Sequence, residues 1–257
     1  MRRRNRSAIP VKTLLDEAFA PITSAIGFIE APLDEVTEYV AAWRRGLNGG
    51  FGQTHTVRGS LADLLGELDP LPTERYGGLR ELFVSAGSHW TAYFGHMWPW
   101  HDLLSPTSHI CRVLARRGVV VRSASMRGKD GDLRTRRPYV VSMVMVSDAP
   151  TDWLNLLRTI ELAWDGRRLA FHQEGQVQPW EETSRYRALR ARDRFDTDLL
   201  ERYCRELGID VFEPGFYGPE GRVIDLRPDG RTIPHRSLRT VQAELGIVPG
   251  AAASVRG

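Results

Sequence analysis

The chain's densest chemistry lies between Ser88 and His109, where four of its seven histidines occur with Trp90, Tyr93, Trp98, Trp100 and Asp102. Imidazole is a common transition-metal ligand and the side chain that titrates nearest neutrality. His96, His101, Asp102 and His109 therefore form a candidate site for a metal or for proton sharing, and a metal-assisted hydrolase is the enzyme such a set would serve. The spacing supplies no metal motif. His96 and His101 stand five apart, no His-Glu-x-x-His string exists, and Cys111 and Cys204 form no Cys-x-x-Cys, so neither a metal nor a cofactor is assigned. Trp98-Pro99-Trp100 reads either as an exposed platform that anchors a ligand or a protein partner, or as a plug at the end of the core. Ser105 or Ser108 with His101 and Asp102 makes no nucleophilic triad, because adjacent residues do not generally give the base and its orienting group the geometry they need. No Gly-x-Ser-x-Gly elbow is present.

Cations make the second candidate. Arg185, Arg187, Arg190, Arg192 and Arg194 fall in one expected helix, on which Arg187, Arg190 and Arg194 share a face at i, i+3 and i+7 and could grip phosphates. The same face could equally be solvated and paired with Glu181, Glu182 and Asp193. Arg127, Lys129, Arg134, Arg136 and Arg137 lie in a polar loop, and Arg2, Arg3, Arg4 and Arg6 in a basic tail. That tail accounts for the net charge of +3: without its four arginines the 35 basic residues fall to 31, against 32 acidic. A nucleic-acid partner would have to be held by local patches, and a protein partner is favoured over it. Glycines 46, 49, 50 and 52 lack the Lys-Ser/Thr end of a phosphate loop. The acidic pairs Asp148 with Asp152, Glu161 with Asp165, and Glu181 with Glu182 have no feature that sets one apart for acid–base work.

The scaffold for these residues is of ordinary globular composition, 42% hydrophobic and 26% charged, which excludes a disordered, collagen-like or coiled-coil chain. The most apolar run, Tyr139 to Val146, is of strand length, far short of the ~18 residues of a membrane helix. The basic start is followed by Lys12, Asp16 and Glu17 rather than the apolar core of an export signal. Two cysteines are too few for a disulfide framework. These features predict a cytoplasmic, soluble protein with buried, reduced thiols and no membrane partner, of open oligomeric state.

Periodicity predicts strands over Ile22–Glu30, Phe51–Arg58, Leu79–Ser85, His89–Phe94, Val119–Ser125, Tyr139–Ser147, Thr159–Trp164, Arg167–His172 and Arg222–Leu226. Helices are predicted over Leu33–Leu47, after the N-cap Ser60, after the N-cap Ser105 with Pro106 at N1, over Thr183–Leu207 with a break near Phe195 and a second cap at Thr197, and around Leu238–Leu245. Asp152–Leu157 reads as a helical turn, and Asp165-Gly166 as a hairpin turn. Strands joined both by helices and by hairpins imply an α+β fold: a mixed, largely antiparallel sheet with helices packed mainly on one face. Residues 1–12 read as a basic disordered tail, 13–227 as one globular region, and 228–257 as a partly disordered tail. The recurrence of Arg-Arg-Gly at 44–46 and 116–118 suggests two related halves, 13–100 and 101–227.

The dispersed pattern Trp90-Thr-Ala-Tyr-Phe94, Asp165-Gly-Arg-Arg168, Phe171, Gly175, Glu181, Tyr186, Asp193-Arg-Phe195, Tyr203-Cys204 and Leu207-Gly208 resembles uncharacterised actinobacterial-type proteins over roughly Ile29 to Tyr217. The resemblance implies no activity and no site residue. The expectation is a non-catalytic binding or regulatory protein, of immunity type or partner-binding, with the metal-assisted hydrolase and the nucleic-acid binder as alternatives.

Overall fold

Runs of Val, Ile, Phe and Tyr between polar turns favour pleated strands, and nine such runs join one sheet. The computed structural model describes residues 11–47, 52–72, 80–95, 102–125, 139–149, 154–226 and 234–249. In chain order the strands are β1 Ala25–Ile29, β2 Gln53–Arg58, β3 Leu71–Pro72, β4 Arg80–Ala86, β5 Trp90–Gly95, β6 Gly118–Ala124, β7 Val140–Val146, β8 Leu156–Trp164, β9 Leu169–Gly175, β10 Tyr217–Asp225 and β11 His235–Arg236. The helices are α1 Leu33–Leu47, α2 Leu61–Gly66, α3 Leu104–Leu114, α4 Thr197–Glu206 and α5 Leu238–Leu245. The large sheet has the order β2-β10-β4-β5-β1-β6-β7-β8-β9, with every neighbouring pair antiparallel. β3 and β11 pair with each other. The class is α+β, as the patterning predicts. No helix among the described residues is long and apolar enough to cross a membrane.

The helices, expected mainly on one face, cover both. α1 lies over β4, β5 and β10 and α3 over β1, β6 and β7, burying Val36, Val40, Ile110 and Cys111 against Phe83, Tyr93 and Val120. On the opposite face α2, α4 and α5 bury Leu64, Leu65, Leu199, Tyr203 and Leu245 with Leu82, Phe94, Val121 and Met143. The cause is in the central strands: β1 and β5 are buried at every position, so both of their faces are apolar and both need cover. Two glycines let α3 come close. A Cβ at Gly27 would lie 2.6 Å from Thr107 Oγ1, and one at Gly118 would lie 2.5 Å from Cys111 Sγ.

The suggested halves do not divide the sheet, because β10 inserts between β2 and β4, and β1 pairs with β6. The C-terminal region contributes a docked helix. Ser237 caps α5, and Gln242 Nε2 donates to the carbonyls of Ala18 and Ala20 at 2.9 Å each. At the other end Lys12, assigned to the tail, is anchored by Nζ to Glu201 at 2.7 and 2.8 Å. Residues 1–10 and 250–257 lie outside the described residues, as does the loop with Arg127, Lys129, Arg134, Arg136 and Arg137. The expected turn before β8 is instead strand from Leu156 onward. Both cysteines are buried and unpaired, with burial first among the causes that push their thiols up, Cys111 to about 12.

Candidate functional site

Of the histidine-rich candidates, His96, Trp98, Trp100 and His101 lie outside the described residues. Asp102 is committed to the start of α3: its Oδ1 accepts from the Leu104 and Ser105 amides at 2.9 and 3.4 Å, and its Oδ2 from Ser105 Oγ. It does the capping expected of Ser105, which sits inside the helix. Seven residues at the helical rise put Asp102 about 10 Å from His109 along the axis, too far to share one metal ion. Among the described residues no group of three His, Cys, Asp or Glu could hold a metal.

His109 belongs to an aromatic cluster between α1 and α3. Its ring stacks on Trp43 with centroids 4.2 Å apart, and its Nε2 lies 2.7 Å from Tyr39 Oη. The Arg44 guanidinium sits 4.1 Å from the Trp43 ring. Burial, with Arg112 and Arg44 nearby, holds the His109 pKa below its ordinary value, which favours the neutral imidazole. The cluster continues outward. Tyr39, Trp43 and Leu47 recur at i+4 along α1, and His109 and Val113 along α3. Leu47 is 64% exposed and Val113 49%, so the apolar stripe of α1 runs beyond the core it was expected to fill. Arg112 is exposed beside it and has no ion pair among the described residues, whereas Arg45, two residues from both Trp43 and Leu47, lies on the other side of α1 towards Gly52.

Beneath this cluster Arg44 makes a bidentate pair with Glu81, Nε to Oε2 at 2.9 Å and Nη2 to Oε1 at 2.6 Å, and Tyr93 Oη donates to the same carboxylate. The Glu81 side chain is fully buried. Burial, then Glu81, raises the Tyr93 pKa well above its usual value; for Arg44 burial opposes the charge, but Glu81 outweighs it. A second buried pair joins the opposite face. Arg158 Nε and Nη2 donate to Glu181 at 2.9 and 2.7 Å, and its Nη1 to Gln173 Oε1 at 2.6 Å. Glu181 also accepts from the Gln178 amide at 2.8 Å and from Tyr186 Oη at 2.9 Å, which fills its acceptor sites. Both side chains are at most 1% exposed. This pair straps residues 176–186 onto β8 and β9, and it removes Glu181 from the surface role in which the sequence places it.

The arginine row does not form. Residues 185–187 and 191–193 are separate 3-10 turns, and Arg190 between them is extended with ψ 131°. The inward demand of Tyr186, which packs on Phe171 with centroids 5.2 Å apart, overrides helix propensity here. Arg187 and Arg190 are exposed, while Arg194 turns back to donate to the Ala188 carbonyl at 2.8 Å. Arg185 pairs with Asp196, the residue that caps α4 in place of Thr197. A cleft of about 410 Å³ beside β1 carries His89, Glu30, Asp148, Arg116 and Arg117. Its strongest charges cancel internally: Arg117 holds both Glu30 oxygens at 2.7 Å, and Arg116 holds Glu35.

Strand register assembles one further set that spacing in the sequence does not reveal. Arg122 on β6 faces Ser142 on β7, Ser142 faces Glu161 on β8, and Glu161 faces His172 on β9. Directly opposed residues point to the same side of the sheet, here the side of α1 and α3. Ser142 is fully buried and its Oγ has no hydrogen-bond partner, a deficit that costs about 1–3 kcal/mol. Arg122 and Glu161 are half-buried, and neither makes an ion pair or a side-chain hydrogen bond among the described residues. Comparison with family models, curated proteins and solved structures finds no match for this chain.

Proposed function

We propose that the chain is a non-catalytic binding protein whose protein partner docks on the α1–α3 face. The observation that carries this reading is the aromatic and apolar patch of Tyr39, Trp43, Leu47, His109 and Val113, bordered by Arg112. Aromatic and arginine side chains around an apolar centre are the composition of interface hot spots. Because Glu81 neutralises Arg44 while Arg112 has no ion pair among the described residues, the complementary partner presents apolar side chains bordered by a carboxylate.

The test places a photo-crosslinking residue at Val113 and, as a control, at exposed Thr56 on β2. Adducts with a discrete host protein are expected at 113 alone, abolished by the double variant Leu47→Glu/Arg112→Glu, both of whose positions are exposed on this face. Equal adducts at both positions, or adducts that survive the double variant, refute the docking face.

A further inference from the structure

We infer that the Arg122–Ser142–Glu161 row is a binding site for a small zwitterion of the α-amino-acid class. The row lies on three adjacent strands, and Arg122 and Glu161, two strand spacings apart, stand about 9.6 Å from each other at the backbone. Both side chains rise from the same face of the sheet, one on each side of Ser142. No ion pair joins them, so a half-buried guanidinium and a half-buried carboxylate flank Ser142 without cancelling each other.

That arrangement selects the ligand. A simple anion would be drawn to Arg122 and repelled by Glu161, and a simple cation would meet the reverse. A molecule carrying both charges a few bonds apart satisfies both walls. The planar guanidinium fork matches a carboxylate, the Glu161 oxygens accept from an ammonium group, and the unpartnered Ser142 hydroxyl between them can donate to the one or accept from the other. Ser142 is fully buried, so contact with its hydroxyl requires the side chains beside it to move aside on binding. The rows on either side on the same sheet face are Val144 with Thr159 and Val140 with Ala163, which leave a small, mainly apolar rim for an aliphatic substituent. His172, beyond Glu161, stands outside the set, with its Nε2 3.5 Å from Glu174.

The experiment is calorimetric titration of the full chain with the twenty free amino acids, together with matching analogues that lack either the amino or the carboxylate group. Saturable binding of at least one amino acid is expected, at least tenfold tighter than either of its analogues. Arg122→Gln and Glu161→Gln should each weaken it at least tenfold, and Arg239→Gln on α5 should not. Methyl resonances of Val140 and Val144 in the unaltered protein give a readout independent of whether those variants fold, and they should shift on titration. Absence of saturable binding across the panel, unchanged affinity in folded Arg122→Gln and Glu161→Gln, or unmoved Val140 and Val144 methyls would each overturn the assignment.

Discussion

Gly27→Ala asks whether α3 is seated on β1 by a glycine contact. Alanine in a strand interior is ordinarily favoured over glycine by about 0.5–1 kcal/mol, so destabilisation would have to come from the contact itself. The new Cβ would fall 2.6 Å from Thr107 Oγ1 and 3.3 Å from Tyr93 Cδ1, and Thr107 is fully buried. Overpacking of this kind costs about 1–3 kcal/mol. Thr107→Ala removes the obstructing oxygen. It also removes a buried hydroxyl that has no partner, a gain of about 1–3 kcal/mol that the lost methyl packing, about 0.8 kcal/mol, only partly offsets. The single variant Thr107→Ala should therefore be near neutral or stabilising, and Gly27→Ala/Thr107→Ala should recover about 1–2 kcal/mol of the Gly27→Ala loss. Urea unfolding at constant slope measures the cycle, and each kcal/mol should appear as about 2–4 °C in Tm for a chain of this length. Strictly additive single costs would show that Thr107 is not what Gly27 makes room for.

Breaking the fully buried Arg158–Glu181 pair at one end, by Glu181→Gln, should cost about 3–5 kcal/mol in urea unfolding, while Arg158→Met/Glu181→Leu should recover part of that loss. For His109 the folded pKa lies below the unfolded value near ~6.5, so protonation favours the unfolded chain. Its stabilising share is complete above that unfolded value and is lost as pH falls through the folded one; His109→Gln should flatten the fall of the urea midpoint below about pH 7 and leave it unchanged above.

The legible part of the fold is the part fixed by local chemistry. α1, the β4–β5 hairpin, the Ser60 cap and α5 follow from periodicity and capping signals within a few residues of each other. Ser60 and Asp63 form a reciprocal capping box. What was missed depends on contacts between distant residues. Residues 185–194 have helical spacing, but Tyr186 is claimed by Phe171 and Glu181, and the backbone gives up helix to deliver it. Glu181 and Arg158 each look like surface charges in isolation, and only the fold brings them together 23 residues apart. The Arg122–Ser142–Glu161 row needs the register of three strands, which no motif encodes. A weak signal was present: Ser142 and Glu161 each interrupt a run that is otherwise apolar and Arg122 ends one, and a polar residue in the middle of a buried strand calls for a partner.

Saturation separates the charges that build this molecule from those available to act on another. Glu181 has its four acceptor positions filled by protein donors, and Glu81 receives a guanidinium and a phenol, so a ligand could bind at either only by displacing bonds whose loss leaves a buried charge exposed to no compensating partner. Those pairs hold β8 to the segment before α4, and α1 to β4. Arg122 and Glu161 are burdened by partial burial yet make no side-chain bond among the described residues that offsets it, with an unpartnered hydroxyl between them. A chain that satisfies two buried ion pairs so completely shows that its sequence can meet such a demand. Leaving a third set unmet on the same sheet face as α3 carries a stability cost with no structural return, and a ligand that completes its hydrogen bonds supplies one.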